Sequence, residues 1–244
     1  MEVLDARATN VREFTVLRTL RRPDLAQALR LQQAVLPTVA PGHMRLRGPD
    51  ELAGYLDGSA GLGFGVIERD TLDAMTLLRV PSARRPSAGA PYPRVPPADW
   101  PLDTAMVEGV LVHPAARGRG HQRALVGRCR DAAAAIGMRW LCAAVHAASD
   151  ISLRNMLRVG FAVTGVRQVT PGPMLALLMS AAGVPLATDP DDQMQCALDD
   201  VDALQACFAQ GYTGLALAGE RLTCARLVLS ASPAIRPARL ARAG

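Results

Sequence analysis

VEGVLVHPAARGRGHQ, the stretch from Val107 to Gln122, decides the fold. Val107, Val110, Leu111 and Val112 make a β-branched strand that ends at Pro114, whose ring removes a ladder donor. Arg117, Gly118, Arg119, Gly120, His121 and Gln122 then open a long alanine-rich helix. The first N–H groups of a helix have no acceptor within it, and its dipole is positive at that end. Strand, glycine run and helix start therefore gather donors and arginine charge at one point, which suits an anion.

Outward from this turn the hydrophobic pattern switches repeatedly between the two periods. Phe14, Val16, Arg18 and Leu20 alternate as a strand, and Leu25, Ala28, Leu29, Gln32, Val35 and Leu36 keep helical spacing until Pro37. Pro49, Asp50 and Glu51 begin a second helix ending near Gly58. Residues 63–68 and 74–80 flank Arg69, Asp70 and Thr71 as a hairpin. Residues 81–101, rich in Pro, Ala, Ser and Arg, predict an exposed loop bordering the substrate entrance.

After a strand over 106–112, the helix is expected from Gly118 to Ile136, with His121, Leu125, Cys129, Ala132 and Ile136 on one stripe. A buried strand over 139–146, a helix from Ser149 or Asp150 to Gly160, and strands over 161–169 and 174–180 follow. An acidic turn at Asp189 to Asp192, a short strand over 194–198, a helix over 200–210 and a hairpin over 213–227 complete the ordered chain. Residues 1–12 read as a flexible leader and 230–244 as a disordered tail.

Composition narrows the function. The 244 residues carry a net charge of +5, yet the arginines are scattered and aromatics are only 4%, which argues against nucleic acid. All 27 basic residues are arginine, so neither a Walker lysine nor Schiff-base chemistry is available. Cys129, Cys142, Cys196, Cys207 and Cys224 are odd in number and lack C-x-x-C pairing, so neither a disulfide framework nor a metal is expected. The N-terminus has no apolar run, and the most apolar stretch is too short to span a bilayer, so a cytoplasmic protein without a membrane partner is expected.

Arg117, Gly118, Arg119, Gly120 and His121 fit a signature of Gln or Arg, two residues, Gly, one residue, then Gly or Ala, departing only at Gln122. Ser152 and Asn155 precede the Gly160–Phe161 pair. In both motifs and in element order, residues 14 to about 180 resemble the GNAT superfamily of acetyl-CoA dependent N-acetyltransferases. The resemblance implies an α/β (α+β) fold over 13–181, a mixed, mainly antiparallel sheet of six or seven strands flanked by helices. Residues 190–229 are a small C-terminal αβ extension that continues the sheet or packs as a second lobe.

The resemblance also assigns a site. Acetyl-CoA would be the co-substrate, its pyrophosphate on the backbone of Arg119, Gly120, His121 and Gln122 beside Gly118, with Arg117 and Arg119 as countercharge. Its pantetheine arm would lie along Val110, Leu111 and Val112, with Asn155 touching it from the following helix. Glu108, expected on the strand face of Val110 and Val112, would take the proton that an acceptor ammonium must lose before attacking the thioester. The tyrosine that commonly serves as general acid is absent, Met156 standing there; His146, Cys142 and Tyr212 are substitutes, His113 suits a turn, and His43 has no identifiable partner. The expected reaction is direct acetyl transfer to a primary amine of a small molecule or peptide, with homodimer formation left open. The alternatives are a non-catalytic acyl-CoA-binding module and a transferase of a longer acyl chain, for which Ala143 and Ala144 leave room.

Overall fold

The computed structural model describes residues 15–41, 43–81, 103–168, 174–183 and 186–228. The expected leader, the tail and all but the first residue of the 81–101 loop lie outside the described residues. The strands are β1 (Thr15–Thr19), β2 (Gly61–Glu68), β3 (Thr71–Arg79), β4 (Thr104–Val112), β5 (Trp140–His146), β6 (Ala162–Gln168), β7 (Met174–Ala181), β8 (Thr188–Ala197), β9 (Tyr212–Ala218) and β10 (Arg221–Leu227). The helices are α1 (Leu25–Val35), α2 (Pro49–Leu56), α3 (His121–Ala135), α4 (Asp150–Arg158) and α5 (Val201–Ala209).

All the strands join one ten-stranded sheet in the order β1-β2-β3-β4-β5-β7-β6-β9-β10-β8, more strands than the six or seven expected. The three C-terminal strands continue it through one bridging pair, Val163 with Gly214. Arg154 on α4 strengthens this join, its guanidinium donating to the carbonyls of Leu217 (2.8 Å) and Gly219 (2.9 Å). Every neighbouring pair is antiparallel except β4 with β5. The β2–β3 hairpin turns at Arg69 and Asp70, both at positive φ (48° and 60°), as tight two-residue hairpins require.

Two cores lie on opposite faces. Phe64, Val66, Leu78 and Val107 pack with Leu125 of α3, Leu153 of α4 and Leu204 of α5, while Leu20, Met75 and Leu77 pack with Leu31 of α1 and Leu52 of α2. Two expectations are corrected. Ile136 follows α3 and is 44% exposed, because the helix ends at Ala135 and turns the next side chain away from the stripe. Asp189 to Asp192 are not a turn but part of β8, an edge strand, where charge discourages further pairing and Arg226 binds Asp192 (2.6 Å).

Gly214 sits where the two parts of the sheet meet. A Cβ there would stand 2.3 Å from Leu222 Cδ2, and Leu222 is fully buried. Gly214→Ala is therefore expected to cost about 1–3 kcal/mol by overpacking, read as a lower melting temperature in calorimetry. An unchanged melt would mean that Leu222 has room to turn.

Candidate functional site

β4 and β5 pair only at Thr104 with Trp140, Ala105 with Leu141 and Met106 with Cys142. Beyond Met106 they part. The gap opens into a cleft of about 1170 Å³ walled by the far halves of both strands, the start of α3, α4 and the segment after α1. Parallel strands that stop pairing leave a row of backbone groups free for a ligand that can lie along them.

A bulge shapes the β4 wall. Thr76 faces Val110 and Leu78 faces Val107, so Glu108 and Gly109 together oppose Leu77. Gly109 takes φ +84°, and its carbonyl accepts from the buried Thr76 hydroxyl at 2.9 Å. The extra residue corrects the expected face. Val107, Val110 and Val112 pack into the α3 core, whereas Glu108 turns towards Arg79 on the other side.

Glu108 is held by two hydrogen-bond donors and a second ion pair. Its Oε2 accepts from Arg47 Nη2 at 2.9 Å and from the Tyr55 hydroxyl at 2.7 Å, and its Oε1 lies 2.6 Å from Arg79 Nε. Burial alone would raise its carboxyl, but the Tyr55 hydrogen bond and the Arg79 and Arg47 charges outweigh this and hold it below the usual carboxylate range. Burial and the Glu108 charge push the Tyr55 phenol upward, so it stays a donor. Arg47 is placed by Gln32 of α1, whose side-chain amide bonds both the Arg47 N–H and carbonyl at 3.0 Å. The carboxylate expected as the base is thus already engaged by Arg47, Tyr55 and Arg79.

The helix starts at His121, three residues later than expected, with both glycines in the turn before it. Gly118 and Gly120 take φ +80° and +81°, and among the described residues no atom lies within 4 Å of where a Gly118 Cβ would stand. Gln122, the departure from the signature, is explained by α4: its amide donates to Ser152 Oγ (2.9 Å) and its carbonyl accepts from Asn155 Nδ2 (2.9 Å). Those two hydrogen bonds tie the motifs together.

Glu108, Val110, Leu111, Val112, Arg117, Gly118, Gly120, His121, Gln122 and Asn155 all line this one cleft. Arg119 does not, because its guanidinium is drawn away to Glu68 of β2 at 2.8 Å. Arg123, one helical step further, lines the cleft instead. Arg117 reaches the Thr38 hydroxyl at 2.5 Å.

Of the suggested acids, Cys142 is buried among Leu177 and Met179, and Tyr212 donates to Asp192 in the C-terminal strands. His146 does line the cleft, its ring stacked on His43 with centroids 3.5 Å apart. Burial first and the His43 charge second lower the His146 pKa. His113 accepts from the Ala115 N–H as a turn residue. Arg47, Tyr55, Arg79 and the His43–His146 pair carried no local signal, since each meets its partner only through the sheet.

No protein-family model matches the chain, and no curated protein matches it either. Solved structures do. The ribosomal-protein-S18-alanine N-acetyltransferase from Escherichia coli aligns over 72% of this chain and 98% of its own at 18% identity and a TM-score of 0.52. The yncA protein from Salmonella typhimurium, solved with acetyl-CoA, aligns over 72% and 99% at 18% identity and 0.54. A GNAT-family acetyltransferase from Streptococcus pneumoniae aligns over 69% and 99% at 12% identity and 0.55. Nearly the whole of each lies within the length of this chain, and the likeness shows that the chain has the GNAT fold.

Proposed function

We propose that a chain with this GNAT fold is an N-acetyltransferase, moving an acetyl group from acetyl-CoA to a primary amine by direct attack in a ternary complex. One observation carries the reading: the unpaired edge of β4 leads, through the turn at Pro114–Ala116, into a glycine-relieved helix start, within a single cleft. The open space at Gly118 fits a phosphate lying close to backbone. The first-turn amides of α3 with Arg117 and Arg123 would hold a pyrophosphate, Val110 to Val112 would flank a pantetheine arm, and Asn155, already oriented by Gln122, would face it.

In the reaction a neutral amine nitrogen bonds to the thioester carbon, the carbon–sulfur bond breaks, the thiol departs as thiolate, and the nitrogen's surplus proton passes to water or to that thiolate. Glu108 serves this as a fixed anion that positions Tyr55, Arg47 and Arg79, not as the group that takes the proton, because its lowered pKa makes it a weak acceptor. The amine then reacts from its neutral fraction. The rate should climb with pH towards the acceptor's own pKa, with no inflection in the carboxylate range. Arg45 and Arg47 line the cleft beside Glu108, two cations to one carboxylate, which favours an amine that also carries a carboxylate.

The test is thiol release from acetyl-CoA by the purified chain against amines with and without a neighbouring carboxylate, with product masses. Release and acetylation with the carboxylate-bearing set are expected. Acetyl-CoA binding without release for any amine would favour the alternative of an acyl-CoA-binding module, and absence of binding would end both readings.

A further inference from the structure

Three thiols far apart in the chain meet beneath α5. On β8 and β10, Cys196 stands opposite Leu222 and Met194 opposite Cys224. Alternation along the strands therefore puts Cys196, Leu222 and Cys224 on one sheet face. α5 covers that face with Leu204, Cys207 and Phe208. The Sγ atoms of Cys196, Cys207 and Cys224 all lie within 4.8 Å of one another, and the three residues are 4%, 1% and 0% exposed. Cys129 and Cys142 lie elsewhere, on α3 and β5.

We propose that Cys196, Cys207 and Cys224 form a binding site for a trivalent thiophilic ion, supplied as arsenite. Sulfurs bound at ~2.3 Å to one pyramidal or tetrahedral centre stand roughly 3.5–4 Å apart. The three thiols thus need to close by about 1 Å or less, within reach of rotamer adjustment.

Charge selects the ion. The surroundings are Leu204, Leu222 and Phe208, and Cys207 lies in the last turn of α5, at the negative end of the helix dipole. Both disfavour buried thiolates. Three thiolates around Zn²⁺ or Cu⁺ would leave net negative charge in this apolar space, and zinc also wants a fourth ligand. Among the described residues no further His, Cys, Asp or Glu joins the group.

Arsenite avoids the penalty. As(OH)₃ condenses with three thiols: three S–H and three As–O bonds break, three As–S bonds form, and three waters leave. No electron is transferred and no charge is buried. Soft sulfur ligands suit such a centre, and three of them complete its coordination.

The experiment uses the full reduced chain, given one equivalent of sodium arsenite and desalted. Its intact mass should rise by one arsenic less three hydrogens, and X-ray absorption should show three sulfurs and no oxygen on arsenic. Cys142→Ser should keep the adduct, and Cys207→Ser should lose it by more than roughly tenfold while circular dichroism confirms folding. The absorption measurement on the unaltered chain stands even if Cys207→Ser fails to fold. No mass gain, an oxygen neighbour on arsenic, retention in folded Cys207→Ser, or displacement of arsenic by equimolar zinc or cuprous ion would each overturn the proposal.

Discussion

Glu108→Ala is expected to lower the stability of the protein by about 3–5 kcal/mol, the range for breaking a buried ion pair from one side. Glu108 and Arg47 side chains are only 11% and 13% exposed, and removing the carboxylate leaves Arg47 and Arg79 facing each other across an emptied space. For a chain of this size such a loss is roughly 10 °C in melting temperature. Glu108→Gln should fall between, keeping the volume and an acceptor for Tyr55 but losing the charge. Because the folded-state carboxyl lies below its ordinary value, its contribution is full above the normal carboxylate range and is lost as pH falls through the lowered value. The stability gap between wild type and Glu108→Ala should therefore be constant from neutral pH to about pH 5 and shrink in stronger acid. Urea unfolding at neutral pH and again in acid below the carboxylate range, at about pH 3, checks it; a gap under about 1 kcal/mol at neutral pH, or one that does not shrink in acid, would mean the cluster does not hold the cleft together.

Gly118→Val is expected to abolish acetyl-CoA binding while costing the fold only about 1–2 kcal/mol. A side chain at φ +80° is strained and costs about 1–2 kcal/mol, but among the described residues it meets no atom within 4 Å, so no packing clash adds to that cost. The added branch occupies the space through which a phosphate would approach the α3 amides. Losing two charge-assisted hydrogen bonds at about 1.5–3 kcal/mol each weakens binding by on the order of 100-fold or more. Calorimetric titration with acetyl-CoA, alongside a melt, separates the two effects. Tight binding by the variant would move the phosphate site away from this turn.

What was legible in the sequence was what neighbouring residues dictate. Proline at 114 and glycines at 118 and 120 specify a strand end and left-handed backbone by their own sterics, so the cradle could be read directly. Arg69 and Asp70 likewise marked the hairpin. Glu108 could be placed on its strand but not on its face, because a bulge inserts one residue without any local mark except Gly109. Its partners Arg47, Tyr55 and Arg79 come from a loop, a helix and a strand end that only the folded sheet brings together. The same holds for Cys196, Cys207 and Cys224. The direction of the Arg119 side chain was not legible, because motif position fixes the backbone but not which carboxylate claims a long side chain.

The brief parallel contact between β4 and β5 also bears on how the chain acquires its shape. β1 to β4 build one antiparallel block and β5 to β10 another, largely from hairpins and near neighbours in sequence, so each has little loop entropy to overcome. Among the described residues, only 103–106 and 139–142 stitch the blocks along the sheet, across the whole of α3. Those amides are the natural place for the blocks to come apart first and close last. Hydrogen exchange at Ala105 and Leu141 should therefore report a sub-global opening below the full unfolding free energy, with β2–β3 and β5–β7 staying protected.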